Sequence, residues 1–234
     1  MQTIGILGGL GPEATVDYYK EIISGFNQLN TDGSLNYPEI VIYSVNMAKF
    51  IGLLEKEMYT EAADYIAASI NKMKDAGAGF AAISANTPHL LFDEIQSKSR
   101  LPLISIVESC REAAVKAGVK RCGLLGTKFT MNNNFFGDVF AKKNIAVISP
   151  DPVQIAFIHR KLFSELEVGI FREDTKSDLL QIVEEMKIRD GIDSVILGCT
   201  EFPIMFTEAE YLGLPFLNTT RIHVKEIIQV CITD

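Results

Sequence analysis

The chain has 234 residues, 47% of them apolar and 22% charged, which is the balance of a soluble globular protein and excludes disorder as its main state. Its formal charge is −8, from 22 basic and 30 acidic side chains, and no Lys/Arg cluster exceeds three residues in a short window. A surface of that sign repels phosphate backbones, so no nucleic-acid partner is expected.

In chain order, short β-branched runs alternate with longer amphipathic stretches. Thr3–Leu7 predicts a strand and Pro12–Asn27 a helix, with Pro12 in its first turn. Ile40–Val45 predicts a strand, Glu57–Ala76 a helix, Phe80–Ser84 a buried strand and Leu103–Ile106 another. After a helix over Val107–Ala117 the pattern restarts with Arg121–Leu125 and continues through strands at Ile145–Ile148, Ser194–Leu197 and Phe216–Leu217. Thr175–Arg189 and Arg221–Val230 are the clearest of the later helices. Alternation at this spacing predicts an α/β fold with parallel sheets and right-handed crossovers. The apolar runs are far shorter than the roughly 18 residues of a membrane span, and Met1-Gln2-Thr3 lacks the basic start of a signal peptide. Cys110, Cys122, Cys199 and Cys231 have no C-x-x-C spacing, so a reducing cytoplasm is the expected compartment.

The chain repeats itself. Gly5-Ile6-Leu7-Gly8-Gly9 returns as Gly123-Leu124-Leu125-Gly126-Thr127, Ser84-Ala85-Asn86-Thr87 as Gly198-Cys199-Thr200, and Leu101-Pro102-Leu103 as Leu214-Pro215-Phe216. Gly5 to Ala85 is 80 residues and Gly123 to Cys199 is 76; Ala85 to Pro102 is 17 and Cys199 to Pro215 is 16. These landmarks predict two pseudo-symmetric lobes, each a parallel sheet flanked by helices, with the active site in the cleft between them. The first lobe is expected over residues 1–106, with the C-terminal helix 217–234 packing back on it, and the second over 107–216.

Ligands of open parallel sheets sit beyond the carboxyl ends of the strands. That rule singles out Gly8-Gly9-Leu10-Gly11, Ser84-Ala85-Asn86-Thr87, Gly126-Thr127 and Gly198-Cys199-Thr200-Glu201. Symmetric walls suit a reaction that treats both faces of one carbon, such as inversion of a stereocentre by proton transfer. Gly9, Leu10, Asn86, Thr87, Thr127 and Thr200 are the substrate-binding candidates, with His89 close behind the first-lobe segment. A thiol at the mouth of a helix has a lowered pKa, so Cys199, ahead of a helical turn, is expected to supply thiolate at neutral pH. Glu201 is placed to orient the thiol or a substrate ammonium. Cys110, Cys122 and Cys231 read as buried core.

The stretches Thr3–Thr15, Asn86-Thr87-Pro88-His89, Leu124-Leu125-Gly126-Thr127 and Gly198-Cys199-Thr200-Glu201, with Thr130-Met131 and Ile222-His223, resemble the aspartate/glutamate racemase superfamily. The resemblance runs from residue 3 to about 225. It implies proton transfer at an amino acid α-carbon by two thiols without pyridoxal phosphate or any other cofactor, and a homodimer. Many members carry Cys-Asn-Thr where this chain has Ala85-Asn86-Thr87, so one thiol is missing. Ser84, His89, Glu13 or a bound water is then expected to serve the second face. The alternatives are a single-cysteine isomerase or decarboxylase, or a binding protein that has lost catalysis. Several aspartate-specific relatives have Lys where this chain has Glu167, which points to a neutral or basic substrate unless Lys49 or Lys128 compensates. Glu167 otherwise reads as a solvated helix position.

Gly9-Leu10-Gly11-Pro12-Glu13-Ala14 also fits a dinucleotide fingerprint, but the second strand ends in Ser44-Val45-Asn46 without an acid to hold a ribose. The glycine turn reads instead as a carboxylate cradle of backbone N–H groups, or as close strand–helix packing. His223 is expected to face the cleft with His89, and His159 to lie on a helix surface. No His/Cys/Asp/Glu grouping has metal spacing, so no metal is expected.

Overall fold

Strand β1 (Ile4–Gly8) is buried along its whole length, because parallel neighbours flank it on both edges. β2 (Ile40–Ser44) pairs with it from Ile4↔Ile40 to Gly8↔Ser44, and β3 (Phe80–Ile83) from Ile4↔Phe80 to Leu7↔Ile83. β4 (Leu103–Ile104) completes a parallel sheet of order β2-β1-β3-β4. The second sheet is built from β5 (Arg121–Gly126), β6 (Ala146–Ile148), β7 (Ser194–Gly198), β8 (Glu210–Tyr211) and β9 (Leu214–Asn218), in the order β6-β5-β7-β9-β8. Its first four strands repeat the order of the first sheet, so the sequence repeat is a repeat of topology. β8 departs from the all-parallel expectation. It runs antiparallel to β9 through a tight turn at Leu212 and Gly213, both with positive φ, and as a two-residue edge strand it carries too little pattern to be read beforehand.

The computed structural model describes residues 1–233. By contact density these form two units, one of residues 1–106 with those from His223 onward, the other Val107–Ile222. In the first unit α1 (Pro12–Leu29) buries Ala14, Tyr18, Ile22 and Phe26, a stripe spaced by four residues that lies on one helix face. That stripe meets Ile4, Ile6, Phe80 and Ala82, and α11 (Thr219–Ile232) adds Val224, Ile227 and Cys231 to the same core. The backbone of Gln2 donates to Cys231 O at 2.9 Å, tying the last helix to the start of β1. The sequence reading ended the second lobe at residue 216. β9 instead stays paired with β7 as far as Leu197↔Asn218, so residues 217 and 218 are strand and the last helix begins at Thr219.

Among the helices that the sequence reading did not place individually is one that follows β2 directly. α2 (Met47–Glu55) is capped by Asn46, whose Oδ1 accepts from Lys49 N at 2.9 Å, and buries Phe50 and Leu54 one turn apart. A positive φ at Glu57 separates it from α3 (Tyr59–Asp75), where a single helix from Glu57 was expected. The remaining helices are α4 (Phe92–Lys98), α5 (Ile106–Ala117), α6 (Lys128–Asn132), α7 (Phe135–Ala141), α8 (Pro152–Ser164), α9 (Glu173–Asp190) and α10 (Phe202–Met205). No helix among the described residues is long and apolar enough to cross a membrane.

Candidate active site

β7 ends at Gly198, where any Cβ would stand 2.8 Å from Leu125 O, so only glycine lets the strand leave the sheet this close to β5. Cys199, Thr200 and Glu201 follow as a buried turn into α10. The Cys199 thiol donates to Glu201 Oε2 at 2.9 Å, and Thr200 Oγ1 donates to the same oxygen at 3.3 Å. A second carboxylate reaches the thiol from elsewhere in the unit, with Glu167 Oε1 4.0 Å from Cys199 Sγ.

Glu167 sits in a 3₁₀ turn, Leu166–Val168, at the end of α8. The turn closes through Gly169, in the left-handed region at φ +76°, whose N–H donates to Leu166 O at 3.0 Å. Glu165 fixes its base. It accepts from Lys161 Nζ at 2.7 Å and from Thr175 Oγ1 at 2.5 Å, and its own carbonyl accepts from Val168 and Ile170. Glu167 is therefore held in place by its neighbours and is not the solvated helix position that was the bland reading. Its Oε2 atom is enclosed and has no hydrogen-bond partner among the described residues.

The electrostatics overturn one expectation. Burial pushes the Cys199 thiol well above its ordinary value, and the charges of Glu201 and Glu167 push it further. α10 is only four residues long, too short for its N-terminus to outweigh two carboxylates and burial. Cys199 thus rests as a neutral thiol at pH 7, not as thiolate. Burial, with Glu201 next in weight, raises Glu167 to about 8. Two residues earlier, Lys161 and then Thr175 hold Glu165 below the usual carboxylate range. One short segment thus carries an ionised anchor and a protonated neighbour of the thiol. Cys199 Sγ and one oxygen from each of Glu167 and Glu201 lie within 4.8 Å of one another, a donor set that could hold a metal ion. The sequence reading passed over it because Glu167 is 32 residues from Cys199.

In the first unit the glycine turn after β1 is occupied with itself. Gly9 has φ +85° and a Cβ there would stand 2.4 Å from Val45 O. Its N–H donates to Thr15 Oγ1 at 2.9 Å, while Thr15 donates to Gly11 O at 3.1 Å. A Cβ on Gly8 would overlap Thr15 Cγ2 at 2.3 Å. Close strand–helix packing therefore explains these glycines, and the Gly9 N–H is not available to cradle a carboxylate. Leu10 is buried beside it.

After β3, Ser84, Ala85 and Asn86 are buried and Thr87, half-buried, opens a 3₁₀ turn over Thr87–Leu91. Ser84 Oγ donates to Leu7 O at 3.1 Å. His89 is stacked on Phe92, with its Nδ1 3.1 Å from Ala85 O, and its Nε2 accepts from Ile106 N at 3.2 Å. Since a carbonyl only accepts, Nδ1 carries the proton, and burial lowers the pKa to about 4. His89 is a neutral structural histidine with both nitrogens engaged, not a free acid/base. The same holds for His223, which was expected to face a ligand. It is fully buried, its Nδ1 takes the Tyr18 hydroxyl at 2.9 Å, and its Nε2 meets Ile104 O at 3.0 Å.

Thr127 caps α6, its hydroxyl accepting from Thr130 N at 3.2 Å. His159, placed on a helix surface by the sequence reading, is half-buried between Phe129 and Phe163, with ring centroids 6.3 and 4.6 Å away. The two cations considered as partners for an acidic substrate lie over aromatic rings: Lys49 Nζ is 4.2 Å from the Tyr65 centroid and Lys128 Nζ 5.0 Å from that of Phe129. Glu13 is exposed in the first turn of α1.

Of the predicted residues, then, the second unit gathers Cys199, Thr200 and Glu201 at one point and adds Glu167. The first unit strings Gly9, Thr15 and Ser84 on one hydrogen-bond chain and buries Ala85, Asn86 and His89. The clamp of Lys161 and Thr175 on Glu165 had no sequence signal beyond the i,i+4 spacing of Lys161 and Glu165.

Comparison with known proteins gives a consistent result. The chain is 26% identical to the broad specificity amino-acid racemase RacX of Bacillus subtilis (strain 168), over 96% of each chain. Its fold matches that of a Yersinia pestis protein assigned to the Asp/Glu racemases, with a TM-score of 0.88 and 28% identity over the full length of both. An aspartate racemase homologue from Pyrococcus horikoshii OT3 matches with a TM-score of 0.76 and 32% identity, again over both full lengths. The family description "Asp/Glu/Hydantoin racemase" matches residues 7–227. With residues 7–227 matched, the chain belongs to the Asp/Glu/hydantoin racemase family.

Proposed function

We propose that the protein is a cofactor-independent amino acid racemase in which Cys199 carries one of the two proton transfers. The observation that supports this most strongly is the buried thiol hydrogen-bonded at 2.9 Å to Glu201. In the resting state the proton stays on sulfur. When a substrate brings its α-ammonium beside Glu201 and the protonated Glu167, its positive charge stabilises the thiolate, and the thiol proton passes to Glu201 Oε2. The thiolate then removes the α-proton, and the planar carbanion is reprotonated from its other face. Thr200 keeps Glu201 aimed at the thiol. With Ala85 in place of a second thiol, the second proton carrier is not a cysteine. Ser84 and His89 have their protons committed to carbonyl groups, which leaves Glu13 or a water molecule.

One observation favours a second reading. A thiol that rests protonated is ready to give its proton first, as a single-cysteine isomerase or decarboxylase requires. The two are separated by chiral chromatography of amino acids incubated without pyridoxal phosphate. Inversion by the wild type and its loss in Cys199→Ser support the racemase. Proton transfer without inversion moves the assignment to one-face chemistry. The proposal extends to a cytoplasmic homodimer, in keeping with four cysteines that are all free and buried.

A further inference from the structure

We infer that the substrate carries a second positive charge on its side chain, and that Glu167 is the residue that selects it. The inference rests on the amino acid reading of the Cys199 site and deepens it.

The charge balance around the thiol is the starting point. Two carboxyl groups, Glu167 and Glu201, approach one sulfur within 4.0 Å, so the three groups share a space that a bound amino acid must enter. A single α-ammonium offsets one carboxylate. Glu201 is the partner nearest the thiol and is gripped by Thr200, which makes it the natural acceptor for the group next to the reacting carbon. Glu167 then remains. Its Oε2 is enclosed without a hydrogen-bond partner among the described residues, an arrangement that costs stability unless a partner arrives with the ligand.

The protein supplies no such donor to Glu167 from its own segment. Lys161, one turn earlier on α8, is engaged by Glu165 at 2.7 Å. A side-chain carboxylate on the substrate would keep Glu167 in its neutral form and meet the charge of Glu201, so it would gain no ion pair here. An ammonium or guanidinium on the substrate would instead draw Glu167 into its carboxylate form, its proton leaving to solvent, and would donate to the enclosed Oε2. The clamp on Glu165 matters here, because it holds the turn and prevents Glu167 from swinging away to be solvated. Glu167 is a specificity-determining residue and Glu165 a positioning residue behind it.

The test is titration calorimetry of the intact protein with both enantiomers of lysine, ornithine, norleucine, aspartate and glutamate. Wild type, Glu167→Gln and Glu167→Asp are compared, and α-proton exchange is followed in parallel. The expected result is binding of lysine or ornithine at least about tenfold tighter than norleucine or aspartate, the worth of roughly 1.4 kcal/mol. Glu167→Gln should reduce that preference to near unity, and Glu167→Asp should retain part of it. Equal affinity for lysine and norleucine, tighter binding of aspartate or glutamate, or no binding of any of them would overturn the inference. Exchange of aspartate faster than lysine, abolished by Cys199→Ser, would uphold the racemase and overturn the charge selection. Lysine binding that depends on Glu167, with no exchange, would do the reverse.

Discussion

Cys199 Sγ and Glu201 Oε2 lie 2.9 Å apart across a single intervening residue, so the thiol and the carboxyl group it donates to belong to one turn of chain. The pair is buried, and burial, Glu201 and Glu167 in that order keep the thiol protonated. Alkylation of Cys199 by iodoacetamide, followed by peptide mass spectrometry, should therefore be slow at pH 7 and climb steadily above pH 9. In Glu201→Gln the climb should begin earlier, with the rate at pH 8 rising about tenfold for each unit the thiol pKa falls. A wild-type rate that levels off below pH 8 would show a thiolate already formed.

Glu167 gives a stability signature of known sign. Its pKa rises from 4.5 to about 8 on folding, with Cys199 and Glu201 as the titratable groups that face it. Between those values the unfolded chain has lost a proton that the folded chain keeps. Stability therefore falls as pH rises through this window, at up to about 1.4 kcal/mol per unit, and levels off above pH 8. Glu167→Gln removes the loss. Its melting temperature should exceed that of the wild type at pH 8 and approach it at pH 5.

The proposed scheme places a missing second thiol at Ala85. That residue is buried at the end of β3 and small enough that cysteine adds one sulfur atom. If the two-base scheme is right, Ala85→Cys should raise the rate of inversion relative to α-proton exchange, by about 10²-fold where the second proton transfer limits the rate. Chiral chromatography and proton NMR on the same samples give both rates. An unchanged ratio would mean that this position does not serve the second face.

His223 tests whether the histidine of the last helix is structural. His223→Phe removes one hydrogen bond from the Tyr18 hydroxyl and one from Ile104 O, and should cost about 1–3 kcal/mol. Turnover below the melting temperature should be preserved. His223 and His89 titrate near 3 and 4 in the folded chain against 6.5 unfolded. Wild-type stability should accordingly drop as pH falls from 6.5 towards 4, and the variant should drop less steeply.

Much of the fold was legible because parallel strands covered on both faces leave continuous apolar runs, and Ile4–Gly8 and Ser194–Gly198 are such runs. The repeat was legible because glycines needed for close packing, Gly5 and Gly8, return as Gly123 and Gly126. Short pieces were not: α2 depends on one cap and two buried residues, and β8 on a two-residue pairing. At the site, Cys199, Thr200 and Glu201 were legible as neighbours. The contact between Glu167 and the thiol was not, since a 3₁₀ turn clamped by Glu165, Lys161 and Thr175 creates it. The thiol's protonation state was misread for the same reason, because two carboxylates and burial outweigh a four-residue helix. His89 and His223 were misread because a histidine's partners are carbonyl groups and hydroxyls that no motif records.

The measurement that bears most directly on the central claim is α-proton exchange in deuterated water, followed by proton NMR for lysine and a panel of other amino acids, with wild type and Cys199→Ser side by side. The account predicts loss of the α-proton signal with the wild type and a rate at least about 10²-fold lower in the variant, with the variant folded by its melting temperature. Exchange at equal rates in the two proteins, or none with any amino acid in the wild type, would contradict a proton-transferring role for Cys199.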